Sequence, residues 1–403
     1  MRLILSSLTS FVMLLFVTPA LQAVQEVDIR PVEGVDPIVW PGETWPESSA
    51  EEQGIDQEII DALVSDVESG EYGLLDHFLL IRNGYVVADH HFEHDYAEIA
   101  REYDQENHQY NYDHPAWHPY YNATRLHSLQ SVTKSVLSAG VGIAIDKGKI
   151  EGVEQPVLPF FSAYEFDDSD ERKQAITLQD LLTMRSGIQW GTDAAYGTGQ
   201  HSTDLLEASE QWIQFVLDQP MDAQPGSRFE YNDGVSVLIG KVLREATGKR
   251  ADQWVEENLF EPIGINEYYW RITPDGEADT EGGLYLRPDD LARIGLLFLR
   301  QGRWQGQQII SPEWIQESTS PQIPDIAPDN PDFNQGYGYQ WWIMDQDEGR
   351  TKIYSASGYG GQFLQVVPEK NVVVVFNAWN IHGGQQMSAQ TALMQRILPA
   401  VED

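Results

Sequence analysis

The feature that most constrains the fold is a change of hydrophobic period along the chain. "HFLLIRNGYVVADHHF" (residues 77–92) places two apolar runs around Asn83-Gly84. Asn-Gly between such runs is a strong hairpin signal. Between 131 and 335 the period is helical. "TLQDLLTMRSG" has Thr177 as N-cap, Asp180 three residues on and Gly187 as stop. "DLLEASEQWIQFVLDQP" runs as a helix to Pro220, "DGVSVLIGKVLREATG" to Gly248 and "RPDDLARIGLLFLRQG" to Gly302. After 336 come the short β-rich runs "YGYQWWIMD", "KIYSASG", "GQFLQVVP" and "NVVVVFNAW", then a closing helix in "GQQMSAQTALMQRILPAV". Strands near both ends with helices between them predict an α+β fold: one antiparallel sheet made from both chain ends (57–126 and 336–400), flanked by helices, with a mainly helical domain (127–335) inserted. The first flanking helix is "DQEIIDALVSDVESG", which puts Ile59, Ile60, Leu63, Val64 and Val67 on one face and stops at Gly70.

The N-terminal segment has a different character. Arg2, the apolar run "LILSSLTSFVMLLFV" and the small residues of "TPALQA" have the layout of a secretory signal peptide spanning 1–23, cleaved after Ala23. A periplasmic or secreted protein is expected. The alternative is an uncleaved anchor, but Ser6, Ser7, Thr9 and Ser10 interrupt the run and leave it short for a span. No membrane span is expected once the signal is cleaved. Residues 24–56 are rich in Pro and acid and read as an extended lead-in. Residues 95–126, with His108, His114 and His118 among tyrosines and tryptophans, read as a long loop near a site.

The chain has no cysteine. That excludes disulfides, thiolate metal sites, a lipid-modified cysteine and a Cys nucleophile, so stability must come from a core. Lys and Arg number 25 against 63 Asp and Glu, a net charge of −38. Such a chain repels nucleic acid and anionic lipid.

With cysteine excluded, "SVTKSVLSAG" (131–140) draws attention. Ser131 opens a helix, near unpaired backbone N–H groups and the positive end of the dipole. Lys134 lies one turn on, along the same face, so its amine can reach the hydroxyl. A serine is a weak nucleophile until a base takes its proton, and a lysine can do so only when neutral. Flanking apolar residues promise a setting that lowers its pKa. The bare pattern is weak: chance supplies about half an occurrence in a chain of this make-up. Its bland alternative is a capping serine and a solvated lysine. Two later stretches strengthen it. "PGSRFEYNDGVSVLIG" presents Tyr231 at a turn before a helix, where a phenol can relay a proton. "YSASGYGGQ" places Ala356-Ser357-Gly358 at a strand end, where small residues let substrate lie along the edge and the Tyr359 N–H can serve as an oxyanion donor. A packed turn aromatic and a glycine-rich sheet edge are the structural alternatives.

The order and spacing of these motifs resemble the penicillin-recognising serine hydrolases. That family includes class C β-lactamases, D-alanyl-D-alanine carboxypeptidases, family VIII-like esterases and 6-aminohexanoate-dimer hydrolases. "ITLQDLLTMRSGI", "PGSRFEYND" and "GGLYLRPDDLARIG" are similar to further family segments, and the resemblance covers roughly residues 75–400. It implies a β-lactamase/transpeptidase-like fold over 57–400, with Ser131 acylated, Lys134 as base and Tyr231 as relay to the leaving group. It also implies no cofactor and a small ester or amide substrate. Two positions depart from the pattern. The Asn of the family's Tyr-x-Asn is Asp233 here, and the cation of the third motif is Ala356. The second change weakens recognition of carboxylate-bearing penicillins and peptides, unless Lys352 or Arg185 folds in to supply the charge. The esterase and amidase branch is therefore preferred over a D-alanyl-D-alanine carboxypeptidase or β-lactamase, and over a non-catalytic binding protein on the same fold. His90, His91, His94, His108, His114, His118 and His127 lack any zinc-enzyme spacing, so no metal is expected. There is no G-x-S-x-G, P-loop or dinucleotide-binding turn. The oligomeric state is not legible in the sequence.

Overall fold

The computed structural model describes residues 39–104, 114, 117–167, 169–191, 194–328, 335–344, 351–382 and 388–401. The signal-peptide segment, residues 24–38 of the lead-in and His108 lie outside the described residues. Helix α1 (Gln57–Glu68) is capped by Asp56, whose side chain accepts the Glu58 N–H, and it buries Ile60, Leu63 and Val67. The expected hairpin follows as β1 (Leu75–Arg82) and β2 (Tyr85–His91). Asn83 and Gly84 take φ of 55° and 90°, the left-handed pair that a tight hairpin turn requires.

A short strand β3 (His127–Ser128) leads into the buried helix α2 (Val132–Asp146). The helical block continues with α3 (Leu178–Leu182), α4 (Ser202–Glu207), α5 (Trp212–Asp218) and α6 (Asp233–Thr247). Strands β4 (Tyr269–Trp270) and β5 (Leu284–Leu286) join β3 in a small sheet, and α7 (Pro288–Leu299) follows. The chain then returns as β6 (Gly336–Tyr337), β7 (Trp342–Met344), β8 (Ile353–Gly358), β9 (Gln362–Val367) and β10 (Val372–Ala378). Helix α8 (Ala389–Ala392) runs on through a π turn, Leu393–Ile397.

The main sheet has the order β2-β1-β10-β9-β8-β7-β6. Its pairings are antiparallel, with Phe78 opposite Phe376 and Phe376 opposite Phe363. It is thus built from both chain ends, as the period change predicts. Both faces are covered. Leu79, Ile81, Val373 and Val375 face the helical block, whereas Phe78, Leu80, Val374 and Phe376 pack with α1 and the C-terminal helix. This explains the uninterrupted "VVVVF": a strand buried on both faces has no polar side to alternate with.

Two helices differ from expectation. α3 ends at Leu182 rather than near Gly187: Met184 takes a left-handed φ of 57°, the Arg185 N–H folds back onto the Asp180 carbonyl, and the side-chain amide of Gln340 donates to the Leu181 and Leu182 carbonyls. The stretch expected as one helix to Pro220 is two, α4 and α5, broken where the Ser209 hydroxyl accepts the Gln211 N–H. Turn-forming bonds of this kind compete with helix.

Candidate active site

Ser131 occupies the N-cap position of α2, yet its hydroxyl does not cap the helix. The Lys134 ammonium donates to it, with Nζ 2.8 Å from Oγ. Lys134 is not a solvated surface group: it is 1% exposed, inside a helix buried on every side from Val132 to Ala144. The bland alternative of a capping serine beside a solvated lysine is thereby removed. Gln130, just before the serine, holds φ at 48°, so the chain turns sharply into the helix. Backbone strain of this sort in a non-glycine residue clusters at functional sites.

Three further elements converge on the amine. The Asp233 carboxylate at the start of α6 lies 2.8 Å from Nζ. The Glu281 backbone carbonyl, in the turn before β5, accepts from Nζ at 2.6 Å, and the Glu281 carboxyl stands 3.6 Å away. Tyr231, just before α6, has its ring centroid 5.3 Å from Nζ. Glu281 is placed by Asp279, whose carboxylate accepts the N–H groups of Glu281 and Gly282.

The electrostatics differ from the expected apolar setting. Burial alone would lower the Lys134 amine, but Asp233, Tyr231 and Glu281 outweigh it and hold the amine well above its ordinary value. Burial would raise the Asp233 carboxyl, but the Lys134 charge and the hydrogen bonds of Lys134 and Thr203 hold it below its ordinary value. Burial pushes the Tyr231 phenol up, with Lys134 opposing. In the resting site Lys134 is therefore an ammonium, Asp233 a carboxylate and Tyr231 a phenol. The expectation of a lysine made neutral by apolar neighbours does not hold, because two carboxyl groups face it. Nor is Asp233 an unpaired negative charge open to the cleft, since Lys134 neutralises it.

Behind the lysine lies a cluster that the sequence did not disclose. Glu207, Asp279 and Glu281 bring carboxylate oxygens within 4.8 Å of one another, the arrangement that could hold a cation. Cationic side chains already meet it: Arg271 lies 2.8 Å from Asp279 and 3.4 Å from Glu207. The donor set therefore fits an internal ion network better than a metal. Burial pushes the Glu207 carboxyl up to about 7, against the pull of Arg271. The 95–126 segment reaches this cluster, with the Trp117 ring 3.8 Å from the Arg271 guanidinium.

The β8 edge forms the opposite wall. β7 pairs with β8 only from Ile353 to Ser355, so Ala356, Ser357 and Gly358 extend beyond it. A Cβ on Gly358 would stand 2.4 Å from the Leu129 carbonyl oxygen. Only glycine lets this strand end approach the turn that carries Ser131. Tyr359 follows at once, its ring edge-on to Tyr196 at 5.4 Å. Tyr231 is stacked on Trp342 at 5.7 Å. Ala356 is fully buried and presents only a methyl group where the resembling motif carries a cation. Neither proposed substitute supplies one. Arg185 donates to Thr183 Oγ1 and the Gly226 carbonyl. Lys352 sits 5.8 Å over the Tyr354 ring at the far end of β8, roughly 20 Å from Gly358 at ~3.3 Å per residue.

The structure thus brings Ser131, Lys134, Tyr231 and Asp233 into contact and sets the Ser357-Gly358-Tyr359 strand end against the serine's turn. A hydroxyl bonded to a buried amine, beside helix N–H groups, can attack an acyl carbon if the amine can shed a proton. Among residues the sequence did not single out are Glu281, Thr203, Tyr196 and Trp342. The acid before the Gly-Gly of "TEGGLY" was the one visible signal for Glu281.

The sequence model of the family described as Beta-lactamase matches residues 78–393. The D-alanyl-D-alanine-carboxypeptidase/endopeptidase AmpH of Escherichia coli is 24% identical over 230 residues, 49% of this chain and 56% of that one. The 6-aminohexanoate-dimer hydrolase of Paenarthrobacter ureafaciens is 25% identical over 269 residues, 63% of this chain and 66% of that one. The chain thus spans less than two thirds of the length of these curated relatives. The crystal structure of a family VIII carboxylesterase superposes with a TM-score of 0.60 at 18% identity, covering 85% of this chain and 97% of that one, a likeness of fold. No described helix is long and apolar enough to cross a membrane.

Proposed function

The chain belongs to the beta-lactamase family of serine hydrolases, and we propose that it is an exported member that cleaves small neutral ester or amide bonds through an acyl-enzyme on Ser131. Lys134 takes the serine proton and Tyr231 passes a proton to the leaving group. N–H groups at the head of α2 and at Tyr359 receive the oxyanion. The observation that carries the reading is the 2.8 Å bond between Ser131 Oγ and a lysine removed from solvent. A binding-only protein has no need to bury a lysine against a serine. The missing cation at Ala356 supports neutral substrates, and the relative named a 6-aminohexanoate-dimer hydrolase agrees with an amide or ester bond.

Ser131→Ala is expected to reduce p-nitrophenyl ester turnover by about 10³-fold or more, leaving only the contribution of the binding site. Turnover at the wild-type rate in that variant contradicts the assignment. The match to AmpH favours a second reading, a D-alanyl-D-alanine carboxypeptidase or β-lactamase. It ranks lower because none of Ala356, Arg185 and Lys352 offers a substrate carboxylate a partner. Export rests on the layout of residues 1–23. N-terminal sequencing of the fractionated protein is expected to begin at Val24 in the periplasmic or secreted fraction, and a mature chain beginning at Met1 in the cytosol contradicts it.

A further inference from the structure

An ammonium has three N–H bonds, and Lys134 Nζ has three acceptors: Ser131 Oγ at 2.8 Å, Asp233 Oδ1 at 2.8 Å and the Glu281 carbonyl at 2.6 Å. Every N–H is satisfied, so the amine has no lone pair with which to take the serine proton. For the serine to be activated, one of those three protons must leave, and the groups facing Nζ decide where it can go. The Glu281 carbonyl is not basic. The Glu281 carboxyl stands 3.6 Å from Nζ, beyond hydrogen-bond reach of its protons. Tyr231 is a phenol that keeps its proton. Asp233 is the ionised acceptor in contact. Its other oxygen, Oδ2, already accepts from Thr203 Oγ1 at 2.5 Å and from the Tyr196 hydroxyl at 3.3 Å. Those two donors hold the carboxylate still, with Oδ1 aimed at Nζ. A proton can therefore cross between Nζ and Oδ1 without movement of a heavy atom. Both side chains are removed from water, and separated charges there lose the hydration that favours them over a neutral pair. The amide nitrogen and oxygen of the asparagine that stands here in the resembling motif could not accept a proton in this way.

We propose that Asp233 is the proton acceptor that turns Lys134 from an ammonium into a base, an extension that rests on Ser131 being the nucleophile. In the first step an N–H bond of Lys134 breaks and an O–H bond forms on Asp233 Oδ1. In the second, the Ser131 O–H bond breaks, its proton passes to Nζ, and Oγ bonds to the acyl carbon as the carbonyl electron pair moves to oxygen. The Lys134–Asp233 pair has then gained one positive charge as the oxyanion gains one negative charge. On collapse the bond to the leaving group breaks. The leaving group takes a proton from Lys134 through the Tyr231 hydroxyl, and Asp233 returns its proton to Nζ. Atoms and charge balance, and no proton is exchanged with solvent during acylation. Asp233 is a positioning and proton-holding residue that acts through Lys134.

The test is the pH profile of kcat/KM for a neutral ester, per mole of enzyme that takes a serine-directed phosphonate on Ser131. The ionisable groups around the pair are Tyr231 and Glu281 beside Lys134, His201 near Asp233, and Glu207, Asp279 and Arg271 behind them. Glu207→Gln identifies any step that Glu207 contributes near neutrality. In the wild type the acid limb reports protonation of Asp233 and so lies in the carboxylate range, with a flat profile through neutral pH. Asp233→Asn removes the internal acceptor, so Lys134 must lose its proton to solvent first. The acid limb is then expected to move up by at least about two pH units, a loss of ~10²-fold at the acid end that is regained as pH rises. If Asp233 only holds the lysine charged, the limb moves down instead and the variant is the more active enzyme at neutral pH. That result, or an unmoved limb, overturns the proposal. Thr203→Val keeps both partners and removes a donor from the carboxylate, so it too should raise the acid limb of the profile, and an unmoved limb there also counts against the proposal. Wild-type enzyme that takes no phosphonate on Ser131 overturns the underlying nucleophile assignment instead.

Discussion

Lys134→Arg loses on the order of 10²- to 10⁴-fold in the acylation rate, nearly as much as Lys134→Ala, while keeping more of its stability. A guanidinium preserves a positive charge opposite Asp233 but cannot give up a proton at accessible pH, so it cannot accept one from the serine. Alanine removes the charge as well. It leaves a carboxylate buried without the partner that sits 2.8 Å away in the wild type, and such loss costs about 3–5 kcal/mol. The two variants should therefore resemble each other in kinetics and differ in thermal unfolding. Single-turnover acylation by a p-nitrophenyl ester and a thermal melt of each variant separate the two effects. An arginine enzyme within tenfold of wild type means that Lys134 supplies only charge.

Neutral esters and amides are hydrolysed with a higher kcat/KM than a penicillin or an acyl-D-Ala-D-Ala peptide, by about 10- to 100-fold. That range corresponds to one missing hydrogen bond to a charged group, about 1.5–3 kcal/mol. Both disfavoured substrates carry a carboxylate. Ala356 offers it nothing, Arg185 is turned to Thr183 and Gly226, and Lys352 is at the far end of its strand. Asp233 contributes less repulsion than its sequence position suggests, because Lys134 pairs with it. The overall charge of −38 acts in the same direction, but salt screens it beyond about 8–10 Å. The comparison is made at fixed ionic strength with all three substrates. A penicillin or peptide that ranks first reverses the preference and favours the carboxypeptidase or β-lactamase reading.

The parts of the molecule legible in the sequence are those set by short-range pattern. The Asn83-Gly84 turn fixes its own hairpin, and the β-branched 372–376 run reads as a short strand. Ser131 and Lys134 meet because a three-residue spacing on a helix guarantees it. The end of α3 is not legible, since the left-handed turn at Met184 has no glycine to mark it and the Gln340 amide that meets the freed carbonyls comes from far along the chain. The break after α4 turns on one serine side chain. In the site, the charge state of Lys134 is not legible for the same reason. Its carbonyl partner Glu281 is 147 residues away, and neither that contact nor the Asp233 ion pair leaves a periodic trace. Flanking Val132, Val136 and Leu137 suggested an apolar pocket, whereas the amine at the end of the side chain reaches beyond them into a polar one.

The most direct measurement is the intact mass of the protein, followed by peptide mapping, after rapid acid quench during turnover of a slow neutral ester. One acyl group per chain is predicted, carried by the peptide that contains Ser131 and absent from Ser131→Ala. An acyl group on another residue, or turnover through that variant with no adduct on the wild type, would contradict the account.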